Sequence, residues 1–350
     1  MRFLEKTLEA IGELDRTAME AAMQRQKCLT KPPGSLGVLE ELAVQVAGIT
    51  GHTGSAIERK LIITIAGDHG VVAEGVSAYP PEVTWQMLSN FVAGGAAINV
   101  LARHAKARVL VVDMGVAAPV NLEGVLNCRI RAGTGNIAHG PAMSREEAIA
   151  CLETGIAIVN QEVEKGVQLI GTGDMGIGNT TPSSAILAAF SGLPAERFVG
   201  RGTGIDDAAW ERKVRAINRA LEVNRPDPRD ALEVLAKVGG LEIGGLAGCI
   251  LGAAACRVPV IIDGFISGAA ALIAARLQPR VRKFMIASHL SVEPGHRFML
   301  DLLNLKPMLK MNLRLGEGTG AALAMTMLDA AQKIMKEMAT FESAGVSNRS

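Results

Sequence analysis

Val167-Gln-Leu-Ile170, continuing as Gly171-Thr-Gly-Asp-Met-Gly-Ile-Gly-Asn-Thr-Thr-Pro-Ser-Ser184, decides how this 350-residue chain is read. An apolar run of strand length passes into glycine and small polar residues, and Ala185-Ile-Leu-Ala-Ala-Phe190 then continues as an apolar helical pattern. Strand, glycine-rich turn and helix in that order form an anion cradle. Glycines let backbone N–H groups converge, and the helix N-terminus adds donors and a favourable dipole. Thr181 before Pro182 reads as an N-cap with proline at the first helical position. Two generic patterns fit this turn badly. Gly171-x-Gly173-x-x-Gly176 matches a dinucleotide fingerprint, but that helix should open beside the third glycine, not about five residues later. Gly173-x-x-x-x-Gly178-Asn179-Thr180 matches a triphosphate loop with asparagine where the phosphate-holding lysine belongs. Both departures favour a single phosphate, with a ligand-free connector as the competing reading.

The same pattern recurs outward from this stretch. Leu61-Ile-Ile-Thr-Ile65 ends in Gly67-Asp68-His69-Gly70, and Val109-Leu-Val-Val112 ends in Asp113-Met-Gly115. Val258-Pro-Val-Ile-Ile262 ends in Asp263-Gly264, and Phe284-Met-Ile-Ala287 ends in Ser288-His289. Apolar strands alternating with helices predict an α/β fold, a parallel sheet flanked by helices in a Rossmann-like three-layer arrangement. Ligands in such folds bind beyond the carboxyl ends of the strands, where these polar residues fall. Leu4, Leu8, Ile11 and Leu14 recur at helical spacing, as do Leu36, Leu39 and Leu42, and residues 321–338 form an apolar helical run. We therefore expect a small helical subdomain, 1–58 plus 320–350, on an α/β body of 59–319, with a frayed tail over 341–350.

Composition narrows the function. A net charge of +1 gives no reason to expect nucleic acid or an anionic membrane, and 3% aromatics disfavour base-stacking platforms. Five cysteines without a C-x-x-C pair read as free thiols of a reducing, cytoplasmic protein. No Cys/His spacing implies a metal. The uncharged run 243–256 is shorter than the roughly 20 residues of a membrane span and reads as a buried helix.

Other glycine-rich segments carry candidate chemistry. In Gly316-Glu-Gly-Thr-Gly320 a carboxylate stands between two glycines before the C-terminal apolar helix. Partial desolvation would raise its pKa and make Glu317 a usable general base; the competing reading is a helix N-terminal acid. Lys213 follows Gly200-Arg-Gly-Thr-Gly204 on a helical segment, either near a phosphate or on a solvated face. His69 and His289 are acid/base candidates or loop-holding histidines. No Ser-His-Asp order or G-x-S-x-G elbow points to acyl transfer. A dinucleotide oxidoreductase, with Glu196 as ribose-binding acid, and a non-catalytic nucleotide or corrinoid binder stay open.

Taken in order, several segments resemble the nicotinate-nucleotide–dimethylbenzimidazole phosphoribosyltransferases. They are Lys31-Pro-Pro-Gly-Ser-Leu-Gly37, Ala66-Gly-Asp-His-Gly-Val71, Gly75-Val-Ser-Ala-Tyr-Pro80 with Val83, Thr84, Gln86 and Met87, and Gly94-Gly-Ala-Ala-Ile-Asn99. They continue through 171–181, 200–206, Asp263-Gly-Phe-Ile-Ser267, Ser288-His-Leu-Ser291 and 313–320. The resemblance implies transfer of the phosphoribosyl group of nicotinate mononucleotide to a benzimidazole nitrogen. It gives α-ribazole 5′-phosphate with inversion at C1′, in assembly of the cobalamin nucleotide loop. It makes Glu317 the general base, with Asp174 in support at a position where the family carries glutamate, one methylene longer. It places the phosphoribosyl and nicotinate moieties against Gly173, Met175, Gly176, Ile177, Gly178, Asn179, Thr180, Thr181, Gly202, Thr203, Gly204, Lys213, Asp263 and Ser291. The incoming base would meet Tyr79, Pro80, Gln86, Met175 and Leu315. It implies small-molecule substrates, no cofactor and, with the apolar helices, a homodimer.

Overall fold

The computed structural model describes residues 2–54, 57–202 and 204–347. Six strands, β1 (Lys60–Gly67), β2 (Ala107–Gly115), β3 (Val125–Asn127), β4 (Leu169–Met175), β5 (Val260–Ile262) and β6 (Met285–Ala287), form one all-parallel sheet. Their order is β3-β2-β1-β4-β5-β6. The first helices are α1 (Arg2–Ala10), α2 (Arg16–Cys28), α3 (Val38–Thr50), α4 (Val83–Ala93) and α5 (Ala97–His104). The middle of the chain adds α6 (Arg145–Glu164), α7 (Thr180–Ser191), α8 (Asp207–Asn224), α9 (Ala231–Val238) and α10 (Leu241–Ala255). α11 (Phe265–Leu277), α12 (Pro294–Leu303), α13 (Thr319–Glu337) and α14 (Phe341–Ala344) complete it.

Period-2 alternation along β1 divides the interior. Leu61, Ile63 and Ile65 join Val112, Ile170, Val260 and Ile262 in a core shared with α6, α7, α10 and α11. Ile62 and Ala66 point the other way, with Val111, Leu169 and Ile261, toward α3, α4, α5 and α13. With both faces covered, five of the strands contain or adjoin a continuous apolar run, which is what made them readable. The sixth, β3, has three half-exposed or exposed residues at the sheet edge and no apolar run to announce it. The uncharged 243–256 segment lies in α10, whose backbone crosses α6 closely: a Cβ on Gly248 would overlap the Leu152 carbonyl. Among the described residues no helix is long and apolar enough to cross a membrane.

Helices α2, α3 and α13 pack together, and α13 also lies on β4 and β5, whereas α1 lies against α6 and α10. The expected frayed tail includes the short helix α14, capped by the Thr340 side chain.

The chain leaves β1 toward β2 and β3 on one side and later fills β4, β5 and β6 on the other. β1 and β4 therefore flank a topological switch point, where a crevice opens beyond the strand ends. Two local expectations need correction here. β4 runs to Met175, so Gly171 and Gly173 are strand residues rather than turn residues. α7 starts at Thr180 with Asn179 as its N-cap, which puts Thr181 and Pro182 inside the first turn. Proline is tolerated there because first-turn N–H groups have no helical acceptor.

Candidate active site

A cleft of about 750 Å³ opens at the switch point, within the size range of small-molecule sites. Its chemistry begins with three consecutive residues in the left-handed region: Gly316 (φ 84°), Glu317 (φ 62°) and Gly318 (φ 97°). Holding a glutamate there costs about 1–3 kcal/mol, so the surroundings must enforce it. Three strands do so. Thr64 Oγ1 of β1 donates to the Glu317 carbonyl at 2.9 Å, and the Glu317 N–H donates to the Asp174 carbonyl of β4 at 3.2 Å. Asp263, just past β5, accepts from the N–H groups of Gly318 (3.2 Å) and Ala321 (2.9 Å).

The Glu317 side chain is buried and lines the cleft. Burial raises its pKa, and a hydrogen bond from the Ile98 N–H (3.4 Å) opposes the rise. Ile98 lies in the first turn of α5, so the positive end of that helix faces the carboxylate. The result is a carboxylate more basic than usual yet still able to ionise.

Asp174 is also buried in the cleft wall, next to Gly316. Its Oδ2 accepts from Asn179 Nδ2 at 3.0 Å, and its Oδ1 has no partner. Burial, then the charges of Asp263 and Glu242, raise its pKa well above the usual range; the Asn179 bond only partly offsets this. Burial carries Asp263 to about 7, against the pull of the amides of Ala321, Gly318 and Gly320.

From Met175 the chain turns through Gly176, Ile177 and Gly178 into α7, and residues 174–180 line the cleft without interruption. Gly178 turns the chain at φ 87°, whereas Gly173 and Gly176 serve packing. A Cβ on Gly176 would overlap the Gly67 carbonyl, and one on Gly173 would overlap the Glu317 carbonyl. At the far end Lys213, almost fully buried on α8, donates from Nζ to Thr180 Oγ1 at 2.7 Å. Burial lowers its pKa to about 8, although Glu293 opposes this. Gly202, Ser291 and Arg314 close this end. The opposite wall is apolar: Val76, Val83, Met87, Met175 and Leu315, with Tyr79 at the mouth.

The cleft thus brings together Glu317, Asp174, Met175, Gly176, Ile177, Gly178, Asn179, Thr180, Gly202, Ser291, Tyr79 and Leu315 of the expected site residues. Lys213 joins through Thr180. Gly173 and Asp263 lie behind the 316–318 turn, supporting it rather than lining the cleft. Thr181 is buried in α7, and Gly204 and Pro80 lie outside the lining. Gln86 is exposed on α4, whose Val83 and Met87 face the cleft instead. Thr203 lies outside the described residues. His289 lines the cleft, bonded to Ser288 Oγ at 2.9 Å, and burial holds its pKa down to about 4, so it is neutral at pH 7. His69 instead pairs with the buried Glu242 at 2.8 Å, outside the lining.

Sequence reasoning missed Glu293 and Arg314 at the phosphate-like end, and gave no role to the 94–99 segment that starts α5. Only the spacing Gly94-Gly-Ala before a helical pattern hinted at an amide end there. Glu196, the acid of the dinucleotide reading, sits exposed in a short 3₁₀ turn with its carboxylate held by Asn218. Among the described residues no group of three or more His, Cys, Asp and Glu side chains could hold a metal ion.

Comparison with known proteins gives the family. A phosphoribosyltransferase family profile matches residues 11–346. A nicotinate-nucleotide–dimethylbenzimidazole phosphoribosyltransferase of Desulforamulus reducens is 58% identical over 349 residues, 99% of each chain. One of Chloroflexus aggregans is 57% identical over 350 residues, covering 100% of this chain and 99% of the relative. The crystal structure of the Thermus thermophilus enzyme of that name superposes with a TM-score of 0.91 at 46% identity, over 96% of this chain and 100% of that one. The strained glutamate, the carboxylate beside it and the buried lysine across the cleft therefore belong to a member of the nicotinate-nucleotide–dimethylbenzimidazole phosphoribosyltransferase family.

Proposed function

We propose that the protein transfers the phosphoribosyl group of nicotinate mononucleotide to 5,6-dimethylbenzimidazole or a related base, with inversion at C1′. The observation that carries this reading is Glu317, held buried at a strained φ in a cleft whose other end presents Lys213, Thr180 and an α7 N-terminus. The 5′-phosphate binds at the Lys213 end, and Asn179 and Asp174 lie where the ribose would sit. The flat base enters along Tyr79, Val83, Met87, Met175 and Leu315. One ring nitrogen attacks C1′ as the C1′–N bond to nicotinate breaks. The bonding electrons return to the pyridine nitrogen and neutralise its charge. Glu317 takes the N–H proton of the incoming ring, so proton and charge balance without a further reactant. Positioning supplies much of the rest, on the order of 7–11 kcal/mol in favourable cases.

The product is α-ribazole 5′-phosphate, used in assembling the cobalamin nucleotide loop. The five free cysteines support a reducing, cytoplasmic setting. Exposed Trp85 and Val92 on α4, beside the edge strand β3 with its exposed Leu126, support a homodimer through that face; sedimentation tests it. Incubation with nicotinate mononucleotide and dimethylbenzimidazole should release nicotinate and form one new nucleotide by chromatography. Absence of nicotinate release with every benzimidazole and purine tried would refute the function.

A further inference from the structure

The peptide of Gly202 is held from both sides. Arg314 Nη1 donates to its carbonyl at 2.8 Å, and its N–H lies on the Glu293 side, where it favours the ionised carboxylate. Glu293 precedes α12, is only 7% exposed and lines the same cleft as Thr180, Gly202 and Ser291. Its Oε2 has no hydrogen-bond partner. Burial raises the pKa of Glu293, and Lys213 from the other wall, the Gly202 amide and Arg314 oppose the rise and favour its ionised form. Among the described residues, however, neither Lys213 nor Arg314 forms an ion pair with it. A buried carboxylate oxygen left unpaired between two cations is costly to maintain. The groups around it, an ammonium, a guanidinium and a backbone N–H, are those that recognise a phosphate.

We propose that Glu293 is an internal anion of the phosphate subsite, ordering the Gly202 turn and balancing Lys213 and Arg314 in the nucleotide-free enzyme. The substrate 5′-phosphate takes these partners over from it. This inference rests on the reading that the phosphate binds at the Lys213 end. The consequence is a built-in limit on affinity. The product also carries a 5′-phosphate, and a resident carboxylate that competes for the same cations weakens the grip on substrate and product alike, which favours turnover over retention.

Titration calorimetry with nicotinate mononucleotide, nicotinate riboside and inorganic phosphate tests this on the wild type, Glu293→Gln and Lys213→Met. Glutamine keeps the shape and an acceptor for Gly202 while removing the charge. Glu293→Gln should bind the mononucleotide about tenfold tighter, as expected for loss of one like charge at a partly buried site, and inorganic phosphate tighter too. Riboside affinity should not change, which also reports intact folding; if it is lost, Glu293→Ser replaces the glutamine variant. Unchanged or weaker mononucleotide binding with normal riboside binding would overturn the internal anion. Lys213→Met should weaken the mononucleotide selectively. If it does not, the phosphate lies elsewhere and the underlying reading falls with the inference.

Discussion

Residues 171–178 and 316–320 look alike in sequence, each setting an acid among glycines, yet the glycines nearest the two acids serve different ends. In the first, Gly171, Gly173 and Gly176 have ordinary backbone conformations and are needed because other chain segments press against them, and only Gly178, where the chain turns into α7, has positive φ (87°). In the second, Gly316 and Gly318 supply positive φ on either side of a glutamate forced to share it. The two meet where Gly173 packs under the Glu317 carbonyl. One segment is a smooth floor and the other a strained turn pressed onto it. The Glu317 carboxylate is thus set mainly through its backbone, and its side chain meets only the Ile98 amide and the cleft.

The strongest way to break this comparison is to remove the strained acid. Glu317→Gln keeps the turn and deletes the base, so kcat should fall about 10²–10⁴-fold with little change in mononucleotide binding. Near-normal nicotinate release would remove Glu317 from the mechanism. The wild-type pH profile sharpens the same point. The base must be ionised, and burial raises its pKa above that of an ordinary glutamate. Turnover should therefore rise with pH through an apparent pKa above the usual carboxylate range, and the limb should vanish in the glutamine variant. With Asp263 and Asp174 close by, that apparent value belongs to the cluster.

Damage to the floor should come next. Gly173→Ala inserts a methyl where the Glu317 carbonyl sits, so the turn must lift or β4 must shift. We expect about 1–3 kcal/mol of lost stability and roughly a hundredfold loss of turnover, since small displacements of a catalytic group are costly. Thermal melts and steady-state rates on the same variant check both. A destabilised variant with full activity would show that the contact is merely structural.

Much of this could be read from residue order because a doubly covered parallel sheet writes its strands as apolar runs. The polar residues after each run then mark the crevice. The glycine spacing was less informative, since it does not distinguish a turn from a strand that needs room, and only the packed chain shows what presses on Gly171 or Gly173. Gln86 fell outside the cleft while Val83 and Met87 lined it because helix phase along α4, not sequence proximity, selects the facing residues. Glu293 and Arg314 were invisible for a related reason. Ser291 and the 313–320 segment pointed to their neighbourhood, but only the packed chain shows that Glu293 and Arg314 both reach the cleft beside Gly202.

Asp263 bridges the two regions, accepting from two amides of the strained turn while lying behind the cleft. Asp263→Asn exchanges one acceptor oxygen for a donor facing N–H groups, so one of the two bonds must break. A fall in kcat of about tenfold, with KM for the mononucleotide nearly unchanged, would mark it as a residue that positions Glu317. A shift in KM alone would place its effect in binding.

The smallest effect should come from Asp174, although it stands beside Glu317 in the cleft. Burial and the neighbouring carboxylates favour its protonated form, whereas the α5 amide end favours ionisation of Glu317. Burial raises both acids, Asp174 well above the usual range and Glu317 against the pull of the Ile98 amide, so we expect Asp174 to be the one that keeps its proton. A protonated Asp174 presents a donor and an acceptor, and asparagine does the same with nearly the same shape. Asp174→Asn should therefore keep turnover within about threefold at neutral pH, a small effect of about 0.7 kcal/mol on the barrier. Asp174→Ala should lose more, because Asn179 is left without its acceptor. A hundredfold loss in the asparagine variant would mean that Asp174 works ionised, and the contrast between the two acids would have to be reversed.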